Sequence, residues 1–142
     1  MLDMTLLRVM TGRETYLKTH RVVPSKGLDD KTLTMLKSFG GYFEEFPDHE
    51  NIQIATFKSV FFNFYEKTLD DTSKSLYTRI IAGLSVEVDE TTRATMVDRL
   101  NEVDYSMQAA QLLQDYADGK GGDLIHSLAE LTDKVQAQRE RR

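Results

Sequence analysis

At 142 residues and 40% apolar content, the chain is long enough for one domain with a hydrophobic core of its own. It has no cysteine, which excludes a disulfide framework and thiolate metal sites. A net charge of −5, from 23 acidic and 18 basic residues, has the wrong sign for a chain whose main task is gripping phosphate backbones. No apolar run approaches the ~20 residues that span a bilayer. The opening Met1-Leu2-Asp3-Met4-Thr5-Leu6-Leu7 lacks the cationic lead of a signal peptide. A soluble, cytoplasmic protein with no membrane partner is expected.

The start signals of helices recur along the chain. Asp3 is placed to cap a first helix carrying Leu6, Leu7, Val9 and Met10, with Leu2 and Leu7 as a hydrophobic staple. A short helix around Tyr16-Leu17 should end before Val23-Pro24, because a residue preceding proline avoids the α region. Asp29 caps the next helix, which puts Leu33, Leu36 and Phe39 on one face; Gly40-Gly41 reads as its stop. Ile52-Gln53-Ile54 alternates as a short extended segment would. From Thr56 the period changes, and Phe57, Val60, Phe61, Phe64 and Tyr65 fall on one helical face. Asp70 caps a helix with Leu76, Tyr77, Ile80, Ile81 and Leu84 as its apolar face and Gly83 loosening its end. Asp89-Glu90 opens the longest element, where acidic residues suit the positive end of the helix dipole.

In that long helix Met96, Leu100, Val103, Met107 and Ala110 are spaced four, three, four, three. Leu112, Leu113, Tyr116 and Ala117 widen its apolar face. Past the turn Asp118-Gly119-Lys120-Gly121-Gly122, Asp123 caps a last helix in which Leu124, Leu128, Leu131 and Val135 are spaced four, three, four. That 3.5-residue period is the seam of a coiled coil or bundle, and a short glycine-rich turn makes an antiparallel hairpin. The expected architecture is all-α: a helical head over residues 1–88 and a hairpin over 89–142. Leu112, Leu113, Tyr116 and Ile125 lie partly off the seam, so more apolar surface is present than one pairing hides. Either these residues pack on the preceding helices, or they mark a partner site. Gln136 to Arg142 keeps helix-forming composition to the last residue, which reads as a piece of a longer chain.

Chemistry-bearing patterns are sparse. Gly119-Lys120-Gly121-Gly122 has the residue types of a phosphate-binding loop in the wrong arrangement and reads as a turn. His20, His49 and His126 are scattered, and Asp48-His49-Glu50 reads as a solvated loop. No Ser or Thr sits in a nucleophile-elbow pattern, and the Phe57 to Tyr65 stripe reads as core in preference to a base-stacking platform. No catalytic residue, cofactor or metal site is therefore expected. Arg8, Arg13, Lys18, Arg21 and Lys26 outnumber Asp3 and Glu14 in the first segment. They read as a solvated face by default and, more sharply, as a patch for an acidic partner or DNA.

The strings Leu2 to Leu7, Tyr16-Leu17-Lys18-Thr19-His20-Arg21-Val22-Val23-Pro24 and Phe39-Gly40-Gly41-Tyr42-Phe43 resemble the start of phage-encoded DnaB-type replicative helicases. Ile52-Gln53-Ile54-Ala55-Thr56-Phe57 is similar to the extended lead-in and helix start of those heads, except that Gln53 stands where bacterial members often have Asp. The resemblance implies a DnaB N-terminal-domain-like fold and a collar function: hairpins of neighbouring subunits pair, and the pairs form one tier of a hexameric ring in DNA replication. It implies primase or a helicase loader as partners, little DNA contact through this domain alone, and a host bacterial cytoplasm. ATP and Mg would belong to a C-terminal ATPase domain beyond Arg142, so this piece is expected to have no enzymatic activity. The carried-over interface is Met96, Leu100, Val103 and Met107 with Leu124, Leu128, Leu131 and Val135. The alternative is a standalone phage adaptor or loader that binds a host replication factor with the same amphipathic helices.

Overall fold

A computed structural model describes residues 3–24 and 26–140, the last three by backbone alone. The expected Leu2 staple and the Arg141-Arg142 end lie outside the described residues. Seven α-helices are present among them: α1 Met4–Val9, α2 Arg13–Thr19, α3 Asp30–Glu45, α4 Ile54–Val60, α5 Asp71–Gly83, α6 Glu90–Ala117 and α7 Leu124–Glu140. A 3₁₀ turn, His20–Val22, follows α2, and a π-helical turn, Phe61–Tyr65, follows α4. Described residues include no strand, so the all-α expectation is met. The chain divides into two compact units, Met1–Arg93 and Ala94–Arg142, with the boundary inside α6.

In the first unit, α3 is the organising element. Met35, Phe39, Tyr42 and Phe43 are fully buried along one side of it, the recurrence expected of a core-facing helix. Phe57 stands edge-on to Phe39 at 5.3 Å and to Tyr42 at 5.9 Å, and Phe61 continues the cluster to Tyr77 at 5.0 Å. These tilted and edge-to-face geometries are the preferred aromatic arrangements. Leu6, Leu7, Val9 and Met10 of the first helical segment complete the core with Ile80, Ile81 and Leu84.

Polar ties hold the helix ends. Asp29 caps α3 by accepting from the Thr32 amide at 2.8 Å, and the Thr32 hydroxyl donates to the same carboxylate oxygen. Thr32 Oγ1 in turn accepts the Asp3 amide at 3.2 Å, so the starts of α1 and α3 are linked through one buried threonine. Of the expected extended segment only Ile52 and Gln53 precede α4, which Ile54 already opens; just before them Asn51 forms an isolated bridge with Gly12, through Arg13 N–H to Glu50 C=O and Ile52 N–H to Thr11 C=O, both 2.8 Å.

Three local expectations are corrected. Gly40-Gly41 does not stop α3, which runs on to Glu45. A Cβ on Gly40 would lie 2.5 Å from the Tyr16 hydroxyl oxygen, and one on Gly41 would lie 3.7 Å from the Tyr65 ring, so the glycines admit neighbouring tyrosines. The Phe57 to Tyr65 stripe is not one face throughout. Glu66 N–H bonds Phe61 C=O at 2.7 Å, five residues back, and this wider turn rotates the register. Phe64 is 69% exposed as a result, while Phe57 and Phe61 stay fully buried. On α5, Leu76 faces solvent, and the buried side is Tyr77, Ile80, Ile81 and Leu84.

Candidate interaction surface

The second unit is a helical hairpin whose turn is closed by backbone chemistry. Gly119 has φ +74, the left-handed conformation that glycine adopts without strain. Gly119 N–H reaches Tyr116 C=O at 3.1 Å and Lys120 N–H reaches Asp115 C=O at 2.8 Å, the paired bonds of a Schellman stop. Asp123 then caps α7 by accepting from the His126 amide at 3.1 Å. The glycine turn is thus a helix stop followed at once by a helix start, which reverses the chain.

Contacts between the two helices fix their register. The Thr132 hydroxyl donates to Leu128 C=O at 2.9 Å, so the 3.1 Å bond between Tyr105 Oη and Thr132 Oγ1 has tyrosine as donor. Gln108, Gln111 and Leu112 share an open groove of about 460 Å³ with Ser127, Glu130, Leu131 and Lys134. Rising residue numbers on α6 meet falling numbers on α7, so the hairpin is antiparallel.

The two four-three runs do not meet as a single seam. On α7 the expected set is the inward side: Leu131 is buried and Leu124, Leu128 and Val135 are half-buried. On α6 the residues toward α7 are Tyr105, Gln108 and Leu112. At about 100° per residue, Met96, Leu100, Val103 and Met107 centre about 145° away from them around the helix. Leu100 is buried, Met96 and Val103 are half-buried, and Met107 is 54% exposed. A four-three spacing marks a stripe on each helix, and only packing decides which stripe faces which neighbour.

The free apolar surface lies elsewhere. Around α6, Leu113 and Tyr116 point to the side opposite the groove, and around the antiparallel α7 Ile125 points to that same side. These three are 52%, 58% and 82% exposed. Ala109 and Ala129 lie on the same side, and no charged residue of α6 or α7 falls there between Tyr105 and Tyr116 or between Ile125 and Thr132. The result is a face without charged residues near the tip of the hairpin. Leu113, Tyr116 and Ile125 stand out in the sequence as off-seam residues; the two alanines do not, because their placement requires the antiparallel register.

Four of the five N-terminal cations are bonded within the first unit. Arg8 Nε donates to Gly83 C=O at 2.8 Å, where α5 ends. The Arg13 guanidinium donates to the carbonyls of Phe43, Phe46 and His49 and lies over the Phe43 ring at 5.0 Å. It satisfies the last carbonyls of α3, the end where a cation is favoured. Lys18 pairs with Glu14 at 2.8 Å, which holds that carboxyl below its usual range. Arg21 donates to Lys18 C=O at 3.2 Å, and Lys26 is exposed. The structure does not assemble these five into one free cationic face.

The histidines are separated. His20 stacks on Tyr16 at 4.5 Å, His49 Nδ1 shares a hydrogen bond with the Tyr42 hydroxyl, and His126 meets Glu130 at 2.9 Å. Among the described residues no cluster of His, Asp and Glu has metal-site geometry, and no helix is long and apolar enough to cross a membrane. Comparison with protein-family models, curated proteins and solved structures produced no match.

Proposed function

We propose that this chain is an assembly module that self-associates through the uncharged face of its C-terminal hairpin. The observation that carries this reading is the grouping of Leu113, Tyr116 and Ile125, each more than half exposed, on one side of a two-helix unit. Contiguous exposed apolar surface of this kind marks a partner site, and a second copy presents the same surface through a two-fold axis. The finer part of the proposal is the collar role in a phage replicative helicase, with primase or a loader docking on the assembled tier; its support is the sequence resemblance alone. The interface is placed on the Leu113 face in preference to the α7 set Leu124, Leu128, Leu131 and Val135, whose members pack against α6.

Light scattering across a concentration series tests the reading. The unmodified chain should show a dimer or larger species. Ile125→Asp removes two large apolar contacts per two-fold dimer and buries two charges, weakening it by at least about 4 kcal/mol, or about a thousandfold. Because Ile125 is 82% exposed in the single chain, the variant should keep its thermal midpoint. A strict monomer before any substitution, at hundreds of micromolar, defeats the proposal. The collar role is tested separately, by whether a P-loop ATPase sequence continues the same reading frame.

A further inference from the structure

We draw no further inference here: the strongest candidate, the aromatic surface patch that the π-helical turn Phe61–Tyr65 presents on the first unit through exposed Phe64 and half-buried Phe62, is an unpartnered apolar surface, and nothing in the structure shows what covers it.

Discussion

Gly40→Ala should reverse the sign of its effect according to what occupies position 16. In an unobstructed helix interior the change is worth up to about 1 kcal/mol in favour of alanine. Here the new methyl would lie 2.5 Å from Tyr16 Oη, well inside van der Waals contact. Tyr16 cannot simply swing away: it is buried, stacked on His20 at 4.5 Å and against Phe43 at 5.5 Å, and its hydroxyl donates to Leu36 C=O at 3.1 Å. Overpacking of a filled site costs about 1–3 kcal/mol and loss of the hydrogen bond about 1 kcal/mol. The net expectation for Gly40→Ala is a destabilisation of about 1–3 kcal/mol. Tyr16→Phe removes the offending oxygen and leaves the ring carbon 3.4 Å from the methyl, a distance a small adjustment absorbs. In that background Gly40→Ala should be neutral or stabilising by up to about 1 kcal/mol. Urea unfolding followed by circular dichroism on the four proteins of the cycle measures the coupling. Equal effects of Gly40→Ala in both backgrounds would refute the argument that the tyrosine requires this glycine.

Other expectations concern the head and its caps. Arg13→Lys should destabilise by about 2–4 kcal/mol in the same unfolding assay, nearly as much as Arg13→Met, because an ammonium cannot present the planar fork that reaches three carbonyls; full stability in the lysine variant would show that charge alone suffices. Phe61→Ala should cost about 3–5 kcal/mol and Phe64→Ala almost nothing, since the π-turn buries the first and exposes the second; similar thermal midpoints for the two would contradict the turn. Asp29, Asp70 and Asp89 each accept a backbone amide, from Thr32, Ser73 and Thr92, which holds their carboxyls below the usual range. A depressed folded-state value means the caps contribute fully above about pH 4 and are lost as pH falls through the folded value. Replacing all three with Asn, which caps without titrating, should flatten the acid limb of stability against pH; an unchanged limb would place acid sensitivity elsewhere.

Helix starts were legible in the chain because capping is local. Asp3, Asp29, Asp70, Asp89 and Asp123 each bond an amide three residues on, and nothing beyond those residues is needed to form that contact. The reversal after α6 was legible for the same reason, since a left-handed glycine and the backbone bonds around it span only a few residues. Helix ends and helix faces were not. Gly40 looks like a stop until Tyr16, 24 positions earlier, is seen to occupy the space a side chain would need. Phe64 looks like core until a five-residue hydrogen bond turns it outward. Met107 looks like seam until Tyr105 and Thr132 fix which side of α6 meets α7. What the sequence by itself determined is the set of helices, their starts and the stripe of apolar residues on each. The tertiary structure decided which stripe is used up inside the chain and which is left over, because burial is settled by contacts between residues far apart in sequence, whose register no local spacing records.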